Sequence, residues 1–70
     1  MAPPHDLNAY YKKALLEAWL RALMDHAYKK WPTAFLREEF IECQLAILAH
    51  DFDATLSWDG GEVVRIEEIR

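Results

Sequence analysis

One cysteine, Cys43, stands in a chain of seventy residues. A lone thiol excludes an intrachain disulfide framework and a zinc site built on cysteines, and it fits a reducing cytosol. Glycine is nearly as scarce: the only two are adjacent, in Asp59-Gly60-Gly61. No run approaches the roughly 18 uninterrupted apolar residues that a membrane span needs. Met1 to Asn8 reads MAPPHDLN, without the basic start and apolar stretch of a signal peptide, so the expected location is cytoplasmic. Positive charge is thin in the second half. Through Leu36 there are five bases and three acids; from Arg37 onward there are three bases and nine acids. An acidic second half disfavours phosphate binding there and suits either solubility or a basic partner surface.

What the chain does have is apolar mass. Hydrophobic residues make up 53% of it, with three Trp, three Tyr and three Phe, which is too much for a disordered chain. Seventy residues form one domain, of a size whose own core supplies only roughly 3–5 kcal/mol. So apolar a small chain must either pack very densely or share its core with another copy. The second outcome is expected.

The order of elements reads helix, helix, strand, strand within a single domain, residues 1–70, an α+β fold completed by dimerisation. Residues 1–6 read as an extended leader, with Asp6 as cap. Helix 1 covers residues 7–30, and Trp31-Pro32-Thr33 stops it, since a proline disfavours helix at the residue before it. Along helix 1, Lys13, Glu17, Arg21, Asp25 and Lys29 alternate in sign at every fourth position. Each then has an opposite charge one turn away, so the ladder marks a solvent side and assigns the rest of the helix to burial. Helix 2 covers residues 33–50, capped by Thr33 or by Trp31 with Pro32 in the first turn. At about 100° per residue it carries two apolar stripes. Leu36, Phe40, Cys43 and Ile47 form one; Ala34, Ile41, Leu45 and Leu48 form the other. A helix of that kind belongs between two layers, with helix 1 as one and the C-terminal segment or a partner chain as the other.

From residue 52 the period becomes alternating, and residues 52–69 read as a β-hairpin turned by Asp59-Gly60-Gly61. A three-residue loop would pair Leu56 with Val64 and Ala54 with Ile66, keeping apolar side chains on one face. A two-stranded hairpin is marginal in water, so it must pack on the helices or extend into a sheet shared between copies.

The chemical candidates are few. Cys43, His50 and Glu39 could share a face of helix 2, but a cysteine in an apolar stripe and a histidine at a helix end account for them more simply than a metal does. No metal or other cofactor is expected. Cys43 with His50 is the only formal nucleophile and base, and an apolar stripe keeps a thiol protonated, so no catalytic residue is assigned. The acids Glu38, Glu39, Glu42, Asp51 and Asp53 form clusters without the glycine and later glutamate of a calcium loop. Helix-turn-helix binding of nucleic acid is disfavoured by an acidic helix 2 and by Lys12, Lys13, Lys29 and Lys30 lying at opposite ends of helix 1.

Aromatic residues are the most suggestive feature, because Tyr and Trp favour protein interfaces. Trp19 and Phe40 are the expected core rings; Tyr10, Tyr28 and Trp31 lie near helix ends or the charged edge. The expected dimer or partner interface comprises Tyr11, Leu15, Trp19, Leu23, Tyr28, Trp31 and Trp58. Glu38, Glu39, Glu42, Asp51 and Asp53 would face a second protein. The expectation is a non-enzymatic homodimer that binds another protein as adaptor, regulator or inhibitor. By composition alone it is analogous to small bacterial and phage-encoded inhibitors. A rival is a small enzyme or ligand carrier with an inter-subunit pocket near Cys43, His50 and Trp58. A third reading is a transcription-associated regulator.

Overall fold

A computed structural model describes the backbone of residues 4–70 and the side chains from Tyr10 onward. Two helices, α1 (Pro4–Lys30) and α2 (Ala34–Asp51), precede two strands, β1 (Ala54–Ser57) and β2 (Arg65–Ile69), paired antiparallel. The α+β class and the helix-helix-strand-strand order are those the sequence predicts.

Helix α1 begins at Pro4 rather than at residue 7, so Asp6 lies in the first turn and is not the cap. The physical reason is proline itself. Its fixed φ suits a first turn, and the N–H it lacks would have no helical acceptor there. Of the leader expected over residues 1–6, residues 4–6 are helical and residues 1–3 lie outside the described residues.

Trp31 N–H closes the last turn of α1 onto Ala27 O at 3.0 Å, and Pro32 ends it. Thr33 is the cap of α2, with extended φ −79° and ψ 122°, but its hydroxyl makes no capping bond. The turn is held from the other side. Arg37, one turn into α2, donates from Nη1 to Trp31 O at 3.1 Å and to Pro32 O at 3.4 Å. Its guanidinium also sits 4.2 Å from the centre of the Tyr28 ring, a cation–π contact. One side chain thus ties the end of α1 to the start of α2.

At its other end α2 closes with Phe52 N–H on Leu48 O, and Asp53 takes the left-handed conformation at φ 51°. Asp tolerates that region better than most residues, and here it turns the chain into β1. Arg70 secures the corner: its N–H donates to Asp53 O at 2.9 Å and its Nε to Asp53 Oδ1 at 3.3 Å.

The hairpin differs from the simple alternating register. Leu56 pairs with Ile66 and Ala54 with Ile69, with a register shift between Thr55 and Leu56 that leaves Glu67 as an extra residue in β2. The cause lies in the sequence Arg65-Ile66-Glu67-Glu68-Ile69. Isoleucines three apart would point to opposite faces of a regular strand. A bulge restores them to one face and keeps both glutamates out. The connection is correspondingly longer than three residues, running from Trp58 to Val64. Gly60 sits at φ +96°, the glycine in a positive-φ conformation that the turn requires. Asp59 Oδ1 accepts the Gly61 N–H at 3.0 Å, and Trp58 Nε1 donates to Gly61 O at 2.7 Å.

The core joins α1, α2 and the hairpin along one side of each helix. Leu16, Leu20 and Leu23 of α1 meet Leu48 of α2 and Ala54 of β1, with Leu56, Ile66 and Ile69 covering them. A second cluster, Met24, Ala27 and Ile41, lies toward the interhelix turn under Trp31, Phe40 and Trp58. The hairpin therefore does pack on the helices. The molecule is elongated, with extents of 51 × 17 × 16 Å.

Candidate interaction surface

Both helices carry apolar residues on more sides than the core can cover. On α1, Leu16, Leu20, Leu23, Met24 and Ala27 are buried, whereas Tyr11, Leu15, Ala18, Trp19 and Ala22 are exposed. On α2 the stripe of Ile41, Leu45 and Leu48 faces the core. The stripe of Leu36, Cys43 and Ile47 stays open, and of its members only Phe40 turns inward. Leu15, Trp19, Leu36 and Ile47 are each between 48% and 54% exposed.

These two open stripes lie side by side. Trp19 of α1 meets Phe52, just past the end of α2, edge to face at 6.5 Å. Nearer the turn, His26 of α1 lies 6.2 Å from Phe40 of α2 and 6.0 Å from Trp31. Contacts at both ends place the seam between the helices in the middle of one apolar face. That face runs from Tyr11 and Leu15 through Trp19 across to Ile47, Cys43 and Leu36. Asp, Glu, Lys and Arg are absent from these two stripes, but the charged ladder borders them on α1, with Arg21 one turn from Ala18 and Asp25 one turn from Ala22. In the ladder, Lys29 and Asp25 close an exposed ion pair at 3.2 Å.

The residues expected at an interface separate into two groups. Tyr11, Leu15 and Trp19 lie together on the open face. Leu23 does not: it is buried in the chain's own core, at the spacing that places it with Leu16, Leu20 and Ala27. Tyr28 lies under Arg37, Trp31 stacks on Phe40 with ring centres 4.3 Å apart, and Trp58 covers the second cluster while its N–H bonds to Gly61. These three are half-buried within the chain. Trp19, read as a core ring, is instead on the open face. Leu36, Cys43 and Ile47 were legible as a stripe, though their exposure was not.

The acids separate likewise. Glu38, Glu39 and Glu42 are exposed on α2, and among the described residues no ion pair engages them. Asp51 is exposed at the helix end. Asp53 is committed to the corner, paired with Arg70 at 3.3 Å.

Within one chain Cys43, His50 and Trp58 do not converge. Cys43 and His50 are exposed on the outer side of α2, while Trp58 packs with Ile41 on the inner side. Seven residues of helix separate Cys43 from His50 by about 10 Å along the axis. Among the described residues no three His, Cys, Asp or Glu side chains come together as a metal site. Three recesses of about 220, 380 and 300 Å³ lie around the hairpin loop and the adjoining face of α1, all open to solvent, and none is lined by Cys43, His50 or Trp58. Among the described residues no helix is long and apolar enough to cross a membrane.

Comparison with protein families, curated proteins and solved structures finds no match.

Proposed function

We propose that the protein is a non-enzymatic interaction module, self-associating in the cytoplasm and binding another protein as adaptor, regulator or inhibitor. One observation carries this reading: the uncharged apolar face that both helices leave open. A surface of this kind is characteristic of sites that bind protein. Two different surfaces then serve two partners. The apolar face supplies self-association, and the acidic side of α2, with Glu38, Glu39, Glu42 and Asp51, meets a basic patch on the second protein. The mechanism is occlusion, in which a small rigid body covers a functional surface without reacting with it.

Capture from a native lysate tests this. The wild-type chain should retain one protein at fixed stoichiometry, and the variant Glu38→Lys/Glu39→Lys/Glu42→Lys should release it while keeping the same helical spectrum. Retention that is indifferent to the charge reversal would sink the role given to the acidic surface.

A further inference from the structure

Resting on the reading of the acidic side of α2 as partner-facing, we infer that the second protein binds through an extended basic segment, which adds as a strand to the open edge of β1. The hairpin has two outer edges, and they are not alike. β2 is bulged at Glu67 and carries Arg65, Glu67 and Glu68, devices that keep a strand edge from pairing. β1, Ala54-Thr55-Leu56-Ser57, has neither an extra residue nor a charge. The bond from Arg70 N–H to Asp53 O fixes its phase. With the Asp53 carbonyl turned toward β2, the Ala54 N–H points the other way, and the main-chain groups of Ala54 and Leu56 face outward. Among the described residues nothing outside the hairpin bonds to them. Ala54 is buried at the corner, whereas Leu56 is half-buried, so the accessible donor and acceptor are those of Leu56.

The flank beside this edge sets the chemistry of the added strand. β1 runs along α2 and β2 along α1, so the free edge of β1 lies on the side of α2 away from α1. Ala54 packs with Leu48 and Trp58 with Ile41, so β1 retraces α2 toward its start. Phe40, which meets His26 of α1, marks one margin of the covered arc of α2, and half-buried Ala49 marks the opposite one. At about 100° per residue, Glu38 and Glu42 project within about 20° of Ala49, on the margin beside β1. Both are exposed, and among the described residues no ion pair engages them. The bases of the hairpin belong to the β2 side and are paired, Arg65 with Glu67 and Arg70 with Asp53 and Glu68. Arg37 is held at the interhelix turn. An added strand therefore meets carboxylates alone. Glu38 and Glu42 stand about 6 Å apart along the helix axis, and alternate residues of a strand repeat at about 6.6 Å. Two lysines or arginines with one residue between them reach both.

Amide hydrogen exchange of the purified chain, with and without a short peptide of alternating lysine and threonine, tests the inference. Exchange at the Leu56 amide should slow several-fold, and a peptide of the same composition with its lysines in one block should protect it less. N-methylation of every second peptide amide should abolish binding in one phase and spare it in the other, because only one phase faces β1. Glu42→Lys, with unchanged far-ultraviolet dichroism, should weaken binding roughly three- to tenfold, whereas Glu39→Lys, equal in net charge but on the outer side of α2, should weaken it less than about twofold. Absence of binding would overturn the inference, as would binding without protection at Leu56 or equal losses at Glu39 and Glu42. If those failures occur while the triple charge reversal still releases the captured protein, the acidic side remains partner-facing and acts as a diffuse patch. If capture is indifferent to the reversal, the reading beneath the inference falls with it.

Discussion

Leu15 and Leu16 are neighbours in sequence, identical in chemistry and opposite in fate: 54% and 0% exposed. The same division runs along both helices. Ile41 and Leu48 on the inner side of α2 are covered by α1 and the hairpin, while Leu36 and Ile47 on its outer side are 50% and 48% exposed. Hydrophobicity is equal on the two sides. What differs is which of them the short C-terminal hairpin can reach. A four-residue and a five-residue strand cover one side of a helix pair and no more.

Substitution at the paired leucines should separate the two sides most sharply. Leu16→Ala leaves a cavity in the core and should cost about 2–5 kcal/mol, enough to unfold most of so small a domain. Leu15→Ala should change the stability of the monomer by no more than about 0.5 kcal/mol. Urea denaturation at a concentration where only monomer is present reads both. Equal costs at the two positions would break the comparison.

The hairpin offers the next test. Deleting Glu67 removes the bulge and places Ile66 and Ile69 two apart in a regular ladder, still opposite Leu56 and Ala54. The fold should survive with a change of about 1 kcal/mol or less, because no inward side chain moves to the other face. Loss of the cooperative melt would show that the bulge does more than reconcile the two isoleucines.

Arg37→Ala should cost about 1 kcal/mol in thermal melts, through loss of two carbonyl contacts and the Tyr28 stack. Arg37→Lys should recover only part of that, since an ammonium cannot serve both carbonyls and the ring with a planar fork. The smallest effect belongs to the ladder. Lys29→Ala removes an exposed i, i+4 pair worth about 0.2–0.5 kcal/mol, and the loss should fade further in high salt.

Much of this architecture is legible in the residues. Helix period in residues 7–50, the proline between Trp31 and Thr33, and alternation after residue 52 yield the order of elements directly. The double stripe on α2 was expected to lie between two layers; in the structure α1 and the hairpin share the inner stripe, and the outer one is exposed. The ladder was a less complete guide. It marks a charged side of α1, but the remainder of that helix divides again into a covered row and an open one. Which stripe the hairpin would choose depends on three-dimensional reach, to which a periodicity is blind. The β2 register failed for a related reason: alternation assumes every residue is paired, and the Glu67-Glu68 doublet makes one residue supernumerary. The start of α1 at Pro4 came from a backbone preference outweighing the capping signal of Asp6.

The order of the elements also bears on how quickly this chain finds its fold. Helix α1 packs on α2, α2 on β1 and β1 on β2, so most partners in space are successive in sequence; the meeting of α1 with β2 closes the circuit. Little loop entropy is spent before each contact forms, which favours folding in microseconds to milliseconds over the slower regime of non-local sheets. The Arg37 clamp can form as soon as the interhelix turn does, since everything it touches lies within nine residues of it. The corner at Asp53 can close only when Arg70 arrives. The two tethers thus differ in reach: the Arg37 clamp is local to the interhelix turn, whereas the corner joins the two ends of the hairpin.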